Sequence, residues 1–384
     1  MTTYAMDDTR DNDKIDGAAQ DLEFTLKRSK DEYSADIARC HEEIRNGESY
    51  ELCLTNQIST RVSFSGNSSP EDVSTSPFGL YKILRKRNPA PFSAFLKFFT
   101  KDEETEVGAK SAVSICCSSP ERFLSVNQNK SFSTNGDDGT TTSSSRDHGW
   151  EFAPPFVSER DSTQPEFMVE TKPIKGTTSR IIANEGDVDF ELKLLEDERV
   201  AEELRTSVKN RAENLMIVDL LRNDLSRVCE PGSVHVPKLM GIESFATVHQ
   251  MVSTIRGIVD PKYTAIDVIA ASFPGGSMTG APKLRSVDIL DDLELGNRRG
   301  PYSGCLGYIS LSGAMDMNIV IRTAVVAPDR LSNDEKSWEV AIGAGGAITA
   351  LSESDDEFDE MLLKASAIKK SVKEWYNNES TKDS

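Results

Sequence analysis

The segment YELCLTNQISTRVSF (50–64) places Tyr50, Leu52, Leu54, Ile58, Val62 and Phe64 on alternate positions. Strand side chains point to opposite faces in turn, so this period predicts one long strand with a single buried face. Just upstream, Ser29-Lys-Asp-Glu32 has the spacing of a capping box and leads into Tyr33, Ile37, Cys40 and Ile44 at helical intervals, with Asn46-Gly47 as the stop. Residues 1–29 are acidic and without period, and read as a disordered tail. Downstream, a helix is expected over 77–87 and strands over 92–99 and 112–117. Residues 127–168, which include NGDDGTTTSSSR (135–146), are poor in apolar side chains. Burial there cannot offset the entropy of ordering, so the stretch reads as an inserted flexible loop.

Farther along, a helical period runs from about 187 to 224, and strands are expected at 233–238, 245–258, 304–311, 317–327 and 338–343. Helices are expected at 264–272 and 353–375, and 377–384 reads as a polar tail. Many strands with interspersed helices and no regular βαβ alternation predict an α+β fold with large antiparallel sheets, in one domain over 30–376.

The 384 residues carry 63 acidic and 44 basic side chains, a net charge of -19. That field repels phosphate backbones and anionic lipid, so nucleic acid and membrane are not expected partners. An anionic substrate would need a local pocket of basic groups and backbone amides. The six cysteines, at 40, 53, 116, 117, 229 and 305, form no CxxC pair, and the four histidines show no HxxxH or HxH spacing. Free thiols and a carboxylate-held metal, Mg2+, are the readings that remain. No apolar run reaches eighteen residues, and the N-terminus has neither an apolar signal core nor the acid-poor character of a transit peptide. The compartment read from this is cytoplasmic, or a plastid if a longer precursor exists.

Several residues invite a chemical reading beside an ordinary one. Glu357, Glu360 and Lys364 share one face of the last helix, commonly a solvated surface, although the small-residue run IGAGGAITALS (342–352) before it exposes backbone amides. Glu213 abuts the apolar LMIVDLL and is either a metal ligand or the partner of Arg211 or Arg222. Lys175, between Pro173 and Gly176, is a nucleophile only if burial or nearby cations lower its pKa; otherwise it is a solvated loop lysine. Glu121 in SSPERF is an acid/base or a strand-end ion pair. The run PGGSMTGAPK (274–283) is no P-loop, because Ala281 follows Gly280 where lysine is required, yet its amides can face an anion. Cys305 reads as a small buried residue.

Together, SYELCLTNQ (49–57), NPAPFSAFL (88–96), SSPERF (118–123), KPIKGT (172–177), AENLMIVDLLRNDLSRVCEPGSVHVPKL (212–239) and SFPGGSMTGAPK (272–283) resemble the chorismate-utilising enzymes. The resemblance runs over about 31–375 apart from the insert. It implies the chorismate-binding-enzyme fold, antiparallel sheets in a sandwich flanked by helices. Lys175 separates the branches: anthranilate synthases carry alanine in PIAGT, and aminodeoxychorismate synthases carry the lysine of PIKGT. The wording is most similar to the plant-type, bifunctional members of the second branch.

By resemblance, Lys175 attacks chorismate, Glu121 is the acid/base, and Glu213 and Glu360 bind Mg2+ with Glu357 and Lys364 in support. Arg322, Tyr302, Ser277, Lys364 and the amides near Gly345 and Gly346 are then expected on the substrate, with His249 beside its ring. The same resemblance implies ammonia from a glutaminase domain or subunit, and further elements ahead of the first helix. Its alternatives are anthranilate synthase component I, an isochorismate-forming enzyme and a truncated, non-catalytic subunit.

Overall fold

A computed structural model describes residues 22–64, 74–101, 110–128, 166–183, 189–245, 248–332 and 337–380. The chain begins with β1 (Thr25–Leu26), α1 (Lys30–Arg45) and β2 (Glu51–Ser63). The capping box forms: Glu32 N–H donates to Ser29 Oγ at 3.3 Å, and Ser29 N–H donates to the Glu32 carboxylate at 2.7 Å. Then follow α2 (Pro77–Arg87), β3 (Phe92–Lys101), β4 (Lys110–Ser119), β5 (Arg122–Gln128), β6 (Phe167–Thr171) and β7 (Ile174–Ser179). Next come α3 (Phe190–Thr206), α4 (Val208–Ser226), β8 (His235–Ser244), β9 (Val248–Ile258), α5 (Ala265–Ser272), β10 (Gly280–Ala281) and α6 (Lys283–Leu293). The chain ends with β11 (Cys305–Ile309), β12 (Met315–Ile319), β13 (Thr323–Pro328), β14 (Ser337–Ile348) and α7 (Ser354–Ser380).

The strands form two antiparallel sheets. One has the order β1-β2-β14-β13-β4-β3, with β10 also on β2; the other has the order β11-β12-β5-β6-β9-β7, with β8 on β9. The α+β expectation holds. Leu52, Leu54, Ile58 and Val62 of β2 face a core completed by α1, α2 and α7, including Ile37, Leu84, Ile368 and Trp375. A second core sets Ile217, Leu221 and Leu225 of α4 against Phe123, Val126, Val169 and Ile255 of the second sheet.

The chain passes directly from a strand of one sheet to a strand of the other at two corners, between β4 and β5 and between β12 and β13; its other passages run through α5 and α6. These corners are neighbours. Ile319 N–H donates to Glu121 O at 3.1 Å, Ser118 N–H to Arg322 O at 3.2 Å, and Ser119 Oγ to Ile319 O at 2.6 Å. The single strand expected over 317–327 is therefore two, broken where Arg322 adopts φ +51°, a conformation costly for a residue with a Cβ.

Other expectations change for local reasons. The helix expected over 187–224 is split at Ser207, whose ψ of 113° leaves the helical range and whose hydroxyl accepts from Asn210 N–H to start α4. Strand β2 is buried on both faces over residues 51–56, not one, while Tyr50 is 70% exposed. Its odd-numbered side chains, Glu51, Cys53 and Thr55, are shielded as well, and Cys53 joins the second core.

The tail expected over 1–29 is part of the fold from Leu22 onward: Phe24 is buried, Thr25 pairs with Ser59, and Arg28 pairs with Asp36 at 2.6 Å. The polar tail expected from 377 continues α7 as far as Ser380. Within the expected insert, 129–165 lies outside the described residues, as does 1–21. Its two ends are strands in direct register, Gln128 opposite Phe167, so the chain leaves and re-enters the sheet at adjacent points.

Trp375 is 1% exposed, its ring meets Phe64 edge-on at 4.9 Å, and its Nε1 donates to Ser74 O at 2.8 Å. Trp375→Ala is expected to lower unfolding free energy by about 3–5 kcal/mol in urea titration. Leu363→Ala, at a 68% exposed position of the same helix, should cost about 0.5 kcal/mol or less.

Candidate active site

Glu121 sits on the first sheet-to-sheet corner, 8% exposed. Burial raises its pKa to about 7, although the Ser277 hydroxyl and the Ile174 N–H bond to the carboxyl and oppose the shift. No strand-end ion pair involves Glu121 among the described residues. Ser277 lies in a short 3₁₀ turn, Gly276–Met278, ahead of β10. Arg322 occupies the second corner. Its Nη1 donates to Lys364 O at 2.9 Å, and burial lowers its pKa. Its guanidinium has no ion pair among the described residues.

Lys175 is not a solvated loop lysine. It lies in β7, 8% exposed, and its Nζ donates to Glu51 Oε1 at 2.9 Å. Glu51 is fully buried and its Oε2 has no hydrogen-bond partner. Burial alone would lower the lysine's pKa, but the charges of Glu51 and Glu213 and the hydrogen bond to Glu51 outweigh it, and the net shift is upward. The expected lowering is thus reversed. The next residue, Gly176, has φ +92°, and a Cβ there would lie 2.8 Å from both Leu204 and Asn210. Glycine lets β7 press onto α3 and α4.

Glu213 projects from α4 and pairs with neither arginine proposed for it: Arg211 donates to Arg205 O and Arg222 to Asp219. Burial raises its pKa, partly offset by Lys175 and Lys209. At the start of α7, Glu357 is 2% exposed and accepts from Ser352 Oγ at 2.6 Å and Lys209 Nζ at 3.1 Å. Glu360 pairs with Lys364 at 2.8 Å, and Lys364 also donates to Gly345 O at 3.0 Å. Burial works against the Lys209 ammonium, yet the charges of Glu357, Glu213 and Glu360 bring its pKa above the ordinary value.

Gly345 and Gly346 are not a loop but the last third of β14, paired with Thr55 and Leu54 of β2. Pairing with β13 stops at Ile342, so beyond it β14 is laddered on the β2 side. A Cβ on Gly345 would come 2.4 Å from Leu54 O, and one on Gly346 would come 3.0 Å from Glu357 Oε2. Small residues here let β2 and Glu357 approach. Tyr302 stacks over Gly343, where a Cβ would lie 2.2 Å from the ring.

His249 is not drawn into this cluster. Its Nε2 pairs with Asp197 at 3.0 Å and its Nδ1 with Ser244 Oγ at 2.7 Å, so both ring nitrogens are engaged in a network with Arg180. Among the described residues no three His, Cys, Asp or Glu side chains gather as a metal cage. Glu213 and Glu360 nonetheless flank Lys209 electrostatically, and both offer oxygen donors. Space beside Glu121 and Ser277 is about 10 Å³. Cavities of about 130 and 290 Å³ border Tyr302, Glu294 and Arg299 instead. Volume and chemistry thus point to adjacent places, and the titratable groups locate the candidate site.

The sequence matches the family model described as chorismate binding enzyme over residues 3–146 and 160–370. The chain belongs to the chorismate-binding enzyme family. It is 44% identical over 365 residues to aminodeoxychorismate synthase, chloroplastic, of Arabidopsis thaliana, covering 95% of this chain and 31% of that protein. It is 32% identical to anthranilate synthase component 1 of Aquifex aeolicus, covering 90% of this chain and 53% of that one. The chain thus spans about a third of the length of its plant relatives. In structure it resembles anthranilate synthase component I from Streptococcus pneumoniae, with a TM-score of 0.61, 27% identity and coverage of 91% and 60% of the two chains.

For this member of the family, sequence reasoning placed Glu121, Lys175, Glu213, Ser277, Tyr302, Arg322, Glu357, Glu360 and Lys364 around one region. It missed Glu51 and Lys209. Glu51 occupies an alternate position in β2 that a one-faced strand would turn to solvent, and a charge directly beside the apolar Leu52-Cys53-Leu54 run was the available signal.

The Glu121 shift has a defined sign. A carboxyl whose pKa is raised from 4.5 to about 7 binds more protons folded than unfolded, so its contribution to stability declines as pH rises through that window. Glu121→Gln is therefore expected to match the parent's unfolding free energy near pH 4.5 and exceed it at pH 8, by on the order of 3 kcal/mol. Melting curves at the two pH values check this.

Proposed function

We propose that this chain aminates chorismate to 4-amino-4-deoxychorismate, using ammonia delivered by a glutaminase domain or subunit. The product would feed 4-aminobenzoate and folate synthesis. The observation that carries this reading is Lys175, a buried amine at 2.9 Å from Glu51 within the region of Glu121. Similarity to proteins named aminodeoxychorismate synthase supports it.

In this reading Lys175 attacks C2 of chorismate as the C4 hydroxyl departs. Glu121, with its pKa near 7, is protonated in part of the population at neutral pH and can donate to the leaving oxygen. Ammonia then adds at C4 and expels the lysine. Arg322, whose guanidinium has no carboxylate partner among the described residues, would hold a substrate carboxylate in bidentate fashion. Tyr302, Ser277, Lys364 and the amides near Gly345 and Gly346 would complete that pocket. Binding a dianion here requires Lys364 to loosen from Glu360 or Gly345 O.

Mg2+ bound by Glu213 and Glu360, with Glu357 bracing the helix through Ser352 and Lys209, would supply positive charge toward the substrate. No helix among the described residues is long and apolar enough to cross a membrane. All six cysteines are free, which suits the reducing interior of cytoplasm or plastid.

The test is turnover of the chain with chorismate, Mg2+ and ammonium, coupled to aminodeoxychorismate lyase and read as 4-aminobenzoate. Lys175→Ala is expected to reduce it about 100-fold or more, and Glu213→Gln to raise the Mg2+ concentration needed. Anthranilate formed without the lyase would overturn the assignment in favour of an anthranilate synthase. Chorismate binding without either product would favour a non-catalytic subunit.

A further inference from the structure

We infer that Glu51 is the proton acceptor that converts Lys175 from an ammonium into a nucleophile and returns the proton when the lysine departs. The inference rests on the reading of Lys175 given above.

Glu51 is fixed in place. It begins β2, its residue pairs with Ala281 of β10, and its carbonyl accepts from Ser49 Oγ at 2.8 Å. A Cβ on Gly280 would lie 2.0 Å from Glu51 O, so β10 is pressed against this point. The carboxylate reaches across from the first sheet to Lys175 in the second, with Oε1 on the ammonium and Oε2 without a partner. One oxygen contacts the proton to be moved, and the other carries no donor that would compete for charge.

The other carboxylates are less suited to the task. Glu121 accepts from Ser277 and Ile174, and burial holds it partly protonated near neutrality, which equips it to donate. Glu213 acts on Lys175 through its charge and makes no hydrogen bond to it. Transfer within the Lys175–Glu51 pair turns two opposite charges into two neutral groups, so the net charge of the buried pair is unchanged. In the unliganded site the charges of Glu51 and Glu213 favour the ammonium, so the transfer runs uphill and is drawn forward by bond formation to C2.

The balance is complete. The proton passes from Lys175 Nζ to Glu51. The free amine forms a bond to C2, both conjugated ring double bonds shift by one position, the C4–O bond breaks, and Glu121 protonates the oxygen, which leaves as water. Ammonia bonds to C4 and the C2–N bond breaks, its electron pair returning to Lys175. Lys175 then recovers its proton from Glu51, and the new C4 ammonium restores the proton on Glu121. The sum is chorismate and ammonia giving aminated product and water.

Glu51→Gln keeps the shape and removes the acceptor. Mixed with chorismate and Mg2+ without ammonium, and followed by intact-protein and peptide mass spectrometry, it should form the Lys175 adduct about 100-fold more slowly than the parent chain. With ammonium, kcat should fall to match while KM for chorismate changes about threefold or less, since a group acting only in the chemical step leaves ground-state binding alone. Adduct formation at the parental rate would overturn the inference, as would a loss confined to KM. If Glu51→Gln does not fold, Glu51→Asp carries the test: its carboxylate is drawn back by one methylene, so a loss of about tenfold or more supports the inference and a parental rate overturns it. A parent chain that forms no adduct, together with a fully active Lys175→Ala, would remove the lysine reading itself, a different result from an inert Glu51.

Discussion

The arrangement depends on two adjacent places where the chain changes sheets. A backbone that turns from one sheet into another must satisfy its peptide groups away from either ladder. Here each corner supplies the other's partners, through Ile319 N–H to Glu121 O and Ser118 N–H to Arg322 O. Those bonds fix an acid and a base at neighbouring points between the sheets. Arg322 holds a positive φ, a strain the paired corners sustain. The two corners owe their proximity to topology, for Glu121 and Arg322 are 201 residues apart (322 − 121) in sequence.

What lies between the sheets follows from the cost of isolated charge. The chain as a whole is strongly acidic, with a net charge of -19, yet the interior of the site alternates in sign. Lys175 meets Glu51, Lys209 meets Glu357, and Lys364 meets Glu360. Removing one member of a buried pair leaves the other uncompensated, a heavier loss than removing both. The charges of these groups are therefore balanced pairwise without a ligand, while the guanidinium of Arg322 has no ion pair among the described residues. Of the three pairs, Lys364–Glu360 is the most open to solvent, with side chains 32% and 47% exposed, and can rearrange at least cost.

Much of this was legible in the sequence where the signal is local. The Ser29 capping box, the helix over 77–87, the hairpin strands after it and the glycine-rich approach to α7 depend on neighbours within a few residues, and they formed as read. Ser207 also acts locally, but a cap inside a continuous helical period is masked by the period itself. The break at Arg322 could not be read, because a corner is made by the sheet on its far side. Alternation in β2 identified the apolar face correctly and misjudged the polar one, since burial of Glu51 requires the second sheet, which begins 71 residues later in sequence (122 − 51). The partner of His249, Asp197, could not be read either, because it comes from a helix whose position no local pattern gives.

The direction of Lys175 shows how a backbone constraint can select chemistry. Gly176 has φ +92° and the β7–β9 register shifts between Ile174 and Thr177, so Lys175 and Gly176 sit at an irregularity of the strand. Gly176 is turned toward Leu204 and Asn210, where a Cβ would approach to 2.8 Å, and the packing of β7 onto α3 and α4 uses that missing atom. Lys175 reaches toward β2, where its ammonium donates to the fully buried carboxylate of Glu51. A lysine on that face without Glu51 would be an unpaired buried cation, and Glu51 without the lysine an unpaired buried anion. Each is tolerable because of the other. The same coupling that makes the pair acceptable to the fold also places a proton acceptor in contact with the amine, so structural compensation and chemical activation reside in one hydrogen bond.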